Sequence, residues 1–176
     1  MGIEIEVKIK LNERSLEKVR TQVLALGARQ LSKRCKEENF LFDFSDRHLQ
    51  ETDCVLRLRR YGKLLLLTYK GRAGADPLLK KREEWETTIG DFNSMRKTLE
   101  KLGLKVRFEY SKYREVFELK SEVGSTKVCI DETPMGCFVE IEGSEATIKE
   151  LATCLGWTSD CFIRKDYVEL YEDDPC

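Results

Sequence analysis

The sequence holds one histidine, His48, no Cys-x-x-Cys pair and no excess of either charge, and each shortage removes a class of function. A single histidine argues against a zinc centre and leaves no Ser-His-Asp or Cys-His set for covalent acyl chemistry. His48 itself sits in the polar stretch 44–53 and reads as surface. The seven cysteines (Cys35, Cys54, Cys129, Cys137, Cys154, Cys161 and Cys176) are odd in number. Several fall inside apolar patterns and read as small core residues, so the expected compartment is the reducing cytosol. Lys plus Arg number 31 and Asp plus Glu 32, whereas a general nucleic-acid binder is basic overall, so nucleic acid is not the expected partner. No apolar run approaches the roughly 20 residues of a membrane span, and with the charged strand directly after Met1 no secretory signal is expected. The glycines of Gly71-Arg72-Ala73-Gly74-Ala75-Asp76-Pro77 invite a phosphate-loop reading, but no Gly-Lys-Ser/Thr follows and the next segment is a strand.

What the chain does have is strands that alternate apolar and charged residues. Ile3-Glu4-Ile5-Glu6-Val7-Lys8-Ile9-Lys10-Leu11 puts Glu4, Glu6, Lys8 and Lys10 on one face. Cys54 to Arg60 puts Arg57 and Arg59 together, and Leu64 to Lys70 follows as the return arm of a hairpin. Lys81 to Ile89 aligns Arg82, Glu84 and Glu86; a later strand aligns Lys112, Arg114 and Glu118; Thr126 to Asp131 aligns Lys127, Cys129 and Asp131. After a turn at Pro134-Met135-Gly136, Phe138-Val139-Glu140-Ile141-Glu142 mirrors the opening. Residues 28–36 read as a strand and turn, Asn39 to Asp43 as a separate apolar run, and 44–53 as a loop.

Helical spacing marks Leu16, Val19, Val23 and Leu26, with Asn12 or Ser15 as cap and Gly27 as stop. It recurs at Phe92, Met95, Leu99 and Leu102, ended by Gly103, so two matching strand–helix units suggest an internal repeat. Ser144 caps a third helix carrying Ile148, Leu151 and Leu155, and 164–170 reads as a short fourth. About eight strands, mostly hairpin-linked, with a few helices between, predict an antiparallel α+β protein of one domain. Its sheet has an apolar face for the helices and a charged face that becomes a charged lumen if the sheet closes.

Glu4/Glu6, Glu84/Glu86 and Glu140/Glu142 each set two carboxylates about 7 Å apart on one face. Enclosed, such pairs repel unless a cation lies between them, and hard oxygen donors suit Mg²⁺ or Mn²⁺ rather than zinc. Arg57, Arg59 and Arg114 can fork onto phosphate oxygens, while Lys8 and Lys70 act as point charges. A metal-bound polyphosphate satisfies both sets of charges.

In order, Glu4-Ile5-Glu6-Val7-Lys8, Leu56-Arg57-Leu58-Arg59, Thr68-Tyr69-Lys70-Gly71, Arg82-Glu83-Glu84-Trp85-Glu86, Lys112-Tyr113-Arg114, Ile130-Asp131-Glu132-Thr133 and Phe138-Val139-Glu140-Ile141-Glu142-Gly143 resemble the CYTH family of triphosphate tunnel metalloenzymes. That family includes class IV adenylyl cyclases and thiamine triphosphatases. The resemblance runs from Ile3 to Tyr171, which implies one domain over 1–171 and a frayed acidic tail over 172–176. It implies an eight-stranded antiparallel β-barrel with flanking helices, whose tunnel binds a triphosphate and a divalent metal.

Carried over by motif, Glu4, Glu6, Asp131, Glu140 and Glu142 are metal ligands. Lys8, Arg57, Arg59, Lys70, Arg82, Lys112, Arg114 and Lys165 hold the triphosphate. Glu84 and Glu86 bind a second metal or orient a water, and Glu4, Glu6, Lys8, Glu84 and Glu86 form the catalytic set. The expected reaction is hydrolysis of inorganic tripolyphosphate, thiamine triphosphate or a nucleoside triphosphate. The alternatives are cyclisation of ATP to cyclic AMP and pyrophosphate, or a non-catalytic polyphosphate-binding module. Established cyclases of the family carry a His-Phe pair before the Glu-x-Glu-x-Lys run, where this sequence has Met1, Gly2 and Ile3. The expected partner is a small-molecule triphosphate, with a homodimer allowed.

Overall fold

The computed structural model describes residues 2–12 and 15–173. Eight strands carry the fold: β1 (Gly2–Leu11), β2 (Arg29–Asp43), β3 (Val55–Tyr61), β4 (Leu64–Lys70), β5 (Lys80–Thr88), β6 (Lys105–Ser121), β7 (Gly124–Thr133) and β8 (Gly136–Glu142). The helices are α1 (Leu16–Ala25), α2 (His48–Glu51), α3 (Phe92–Lys101), α4 (Glu145–Cys154) and α5 (Tyr167–Asp173), with a 3-10 turn at Ser159–Cys161. The strands bond in the closed order β1-β5-β4-β3-β2-β6-β7-β8, an antiparallel barrel with no exposed sheet edge. No helix of the described residues is long and apolar enough to cross a membrane. Residues 174–176 of the expected tail lie outside the described residues, and Glu172 and Asp173 end α5.

Contacts divide the chain into two compact units. The first comprises residues 36–75 and 82–111 with the start of β1. Its apolar cluster joins Phe42, Leu58, Phe92, Leu99 and Leu104 to Phe40, Leu65, Leu67 and Met95. Asp91 caps α3 by accepting from the Ser94 N–H at 2.7 Å, and Phe92 meets Phe40 edge-on with ring centroids 5.0 Å apart. Leu102, placed by spacing on the buried face, is 67% exposed because the helix ends at Lys101 and the chain has already turned away.

Two expectations change in this region. β2 is a single 15-residue strand rather than a strand, a turn and a separate run. Its middle is polar on both sides because Glu37 and Asn39 are buried opposite the helix-packed face, so apolar alternation fails there. The stretch 44–53 is not all loop: α2 forms within it because the Asp43 carboxylate accepts from the N–H groups of Phe44, Leu49 and Gln50 at 2.7, 2.9 and 3.0 Å. Four residues are too few to show a helical period.

The second unit comprises residues 4–35, 76–81 and 112–173 of the described chain. Val7, Ile9, Phe117, Val128, Ile130, Val139 and Ile141 project from β1, β6, β7 and β8 onto Val19 and Val23 of α1 and Ile148 and Leu151 of α4. Ser144 caps α4 by accepting from the Thr147 N–H at 3.2 Å. Ser15 stands at the N-cap of α1 but makes no side-chain cap bond, and Leu26 stays exposed past the helix end. With this apolar set committed to the helices, strict alternation turns Glu6, Lys8, Arg114, Asp131 and Glu140 the other way, where they are also buried. The register then makes them neighbours: Glu6 lies opposite Glu142, Lys8 opposite Glu140 and Arg114 opposite Asp131.

Candidate active site

In the second unit, the buried charges are joined by short contacts. Lys8 Nζ lies 2.9 Å from Glu6 Oε1 and 3.3 Å from Glu140 Oε2. Burial works against its charge, but Glu6 and Glu140 outweigh it and hold the ammonium above the ordinary lysine range. Arg114 donates through Nε to Asp131 Oδ1 at 2.7 Å, and through Nη2 to Asp131 Oδ2 at 2.6 Å and Glu140 Oε1 at 2.9 Å. Lys112 Nζ donates to Asp131 Oδ2 at 2.9 Å, and the Tyr167 hydroxyl donates to that same oxygen. Burial, with Asp131 and Glu140 beside it, pushes the Tyr167 phenol well above its usual value, so the hydroxyl keeps its proton.

One oxygen each from Glu4, Glu6 and Glu142 lies within 4.8 Å of the other two. Burial raises the Glu142 carboxyl to about 7; Glu140 and Glu4 add to the rise, and its ion-pair partner Lys127 opposes it. Three converging carboxylates, one of them pushed towards its neutral form, fit a divalent cation, and oxygen donors alone fit Mg²⁺ or Mn²⁺. A second group brings Cys129 Sγ within 4.8 Å of Glu140 and Glu142 oxygens. Burial pushes that thiol far up, and soft sulfur suits Mg²⁺ or Mn²⁺ less well than carboxylate oxygen does.

The first unit holds its own charged group. Glu86 Oε2 accepts from Arg59 Nη2 at 2.6 Å and from Thr68 Oγ1 at 2.7 Å, with Arg57 Nη2 at 3.9 Å. Lys70 Nζ pairs with Glu84 Oε2 at 2.9 Å, and Glu37 Oε2 lies 3.6 Å from Arg59 Nη1. Burial opposes the charge of Arg57, but Tyr110, Glu37, Glu84 and Glu86 raise its pKa above the ordinary arginine value. The Nε atoms of Arg57 and Arg59 are buried and have no hydrogen-bond partner among the described residues, two donors suited to anionic oxygens. Arg82 is buried in this unit as well.

The sequence-predicted residues thus fall into distinct settings. Glu4, Glu6 and Glu142 converge, Glu140 sits between Lys8 and Arg114, and Asp131 spends both oxygens on Arg114, Lys112 and Tyr167. Glu84 and Glu86 are ion-paired with Lys70 and with Arg59 and Arg57. Lys165 is half-exposed and pairs with Asp173. Two residues escaped sequence reading. Glu37 is fully buried in the polar middle of β2, where its phase with Asn39 was the available signal. Tyr167 comes from a short C-terminal helix whose sequence carries no strand alternation.

The CYTH domain family matches residues 2–155, and the chain belongs to that family, whose members are mostly enzymes and depend on divalent cations. A search of curated proteins gives no match. Among solved structures, a Vibrio parahaemolyticus protein named as a candidate adenylate cyclase superposes with a TM-score of 0.78 at 19% identity, over 97% of this chain and 98% of that one. A Pyrococcus horikoshii protein gives 0.74 at 29% identity, over 97% and 98%. A Hippeastrum protein, named as a candidate adenylyl cyclase with a dominant triphosphatase activity, gives 0.70 at 18% identity, over 97% and 95%.

Proposed function

We propose that this chain processes a triphosphate in the presence of Mg²⁺ or Mn²⁺, and that the reaction is hydrolysis. The observation that carries the reading is the convergence of Glu4, Glu6 and Glu142 beside the buried cations Lys8 and Arg114. The three carboxylates would hold the ion, which when bound neutralises phosphate charge and lowers the barrier to attack at phosphorus. Lys8, Lys112 and Arg114 bind phosphate oxygens, and Glu6, Glu140 and Asp131 keep these cations charged and oriented in the absence of substrate. Within the first unit, Arg57, Arg59, Lys70 and Arg82 are anion-binding groups by the same chemistry, with Glu84 and Glu86 pairing with Lys70 and the arginines in the absence of an anion or orienting a water.

Hydrolysis is favoured over cyclisation by the Hippeastrum neighbour, whose dominant activity is that of a triphosphatase. The cyclase reading is favoured by the naming of the Vibrio neighbour. A purely anion-binding module gains nothing from three converging carboxylates.

The test is a product assay on the purified chain with Mg²⁺ or Mn²⁺, offering inorganic tripolyphosphate, thiamine triphosphate and ATP separately. Orthophosphate release without cyclic AMP is the expected result. Cyclic AMP with equal pyrophosphate would replace hydrolysis by cyclisation, and no product beside tight tripolyphosphate binding would make the chain a binding module.

A further inference from the structure

The segment after residue 155 lies beyond the matched CYTH region, yet it reaches the most deeply buried cations of the candidate site. Lys8 and Ile163 exchange two backbone hydrogen bonds, of 3.1 and 2.8 Å. Four residues on, Tyr167 is 4% exposed, and its hydroxyl is bound to Asp131. Its ring centroid is 4.2 Å from Lys112 Nζ and 5.4 Å from Lys8 Nζ, and Phe138 packs against it edge-on at 5.7 Å. The side chains of Lys8 and Lys112 are 3% and 1% exposed, too little for an anion to touch either ammonium group as the chain stands.

Something must therefore move before phosphate reaches these lysines. β1, β6, β7 and β8 are fixed by their ladders. The helix α5 is seven residues long, and Lys80 ties it through Asp166 at 3.1 Å and the more exposed Glu169 at 3.4 Å. Yielding at α5 breaks no strand-to-strand backbone hydrogen bond, only the side-chain bonds of Tyr167 to Asp131 and of Lys80 to Asp166 and Glu169.

We propose that Tyr167 is a cover over the phosphate-binding lysines, displaced by the phosphate groups of the substrate. The proposal rests on the reading that the substrate is a triphosphate. A ring face is a weaker partner for an ammonium group than a phosphate oxygen, whose hydrogen bond is charge-assisted on both sides. The exchange therefore favours the ligand, but the ring lowers the apparent affinity by the fraction of molecules that are covered.

The test uses the full chain and inorganic tripolyphosphate with Mg²⁺, measured by calorimetry. Tyr167→Leu is expected to bind about five- to tenfold tighter than the unaltered protein. Lys80→Gln, which loosens α5 and leaves the ring in place, is expected to shift affinity the same way and decides the matter if Tyr167→Leu does not fold. Amide hydrogen exchange over residues 163–173 of the unaltered protein is expected to quicken on adding tripolyphosphate. Equal or weaker binding by both variants, with exchange over 163–173 unchanged, would overturn the cover and leave the triphosphate site standing. No tripolyphosphate binding by the unaltered protein or either variant would overturn both.

Discussion

Asp131 and Glu142 are both acidic residues of buried, alternating strands, but their neighbours differ. Asp131 accepts from Arg114, Lys112 and Tyr167, so its oxygens are already committed to positive or donor groups. Glu142 has Glu4 and Glu6 within 4.8 Å and a carboxyl raised to about 7 by burial and like charge. The motif alone treats both as ligands; cross-strand neighbours separate them, and neighbours depend on register, which a single strand's alternation does not specify. Replacing Asp131 by alanine leaves Lys112 and Arg114 buried without their shared counter-charge, at a cost of about 3–5 kcal/mol. Urea unfolding should show that loss, and a change below about 1 kcal/mol would mean that other groups compensate the two cations.

At the scale of elements, the helices show how far periodicity reaches. Spacing located α1, α3 and α4 and most of their buried residues, because a helix packed on a sheet must present one apolar stripe. It erred at the ends, where Leu26 and Leu102 continue the spacing but the helix does not. Ile148→Ala is accordingly expected to cost about 2–5 kcal/mol, and Leu102→Ala to stay within about 0.5 kcal/mol. Thermal or urea unfolding of the two variants checks this, and equal losses would contradict the assigned burial.

The short α5 depends on a different kind of bond. Burial works against the Asp166 carboxylate, but Lys80 and the Glu169 N–H outweigh it and hold its pKa below the usual aspartate value. A carboxylate with a lowered folded pKa contributes stability above its unfolded pKa of about 3.9 and loses it as the pH falls through the lower folded value. Docking of α5 should hold at pH 5 and fail only below about pH 4, as read by hydrogen exchange over 163–173. Loosening already at pH 6 would show that Asp166 does not anchor the helix.

Across the whole molecule, repeated alternation points to an antiparallel sheet of about eight strands with one apolar and one charged face, whereas its closure into a barrel was implied by the family resemblance and is what the structure shows. What alternation does not carry is identity across strands. Glu37 contributes to a charged group from a segment with no apolar rhythm, and Tyr167 enters from beyond the last strand. Both are positioned by tertiary contacts that pair residues far apart in the chain.

The most direct test is Mn²⁺ binding followed by electron paramagnetic resonance, with and without tripolyphosphate, in the unaltered protein and in Glu4→Gln and Glu142→Gln. Bound Mn²⁺ in the unaltered protein, and affinity weakened about a hundredfold with matching loss of turnover in both variants that still fold, is the expected result. Unaltered Mn²⁺ binding and turnover in both variants would contradict a metal held by Glu4, Glu6 and Glu142.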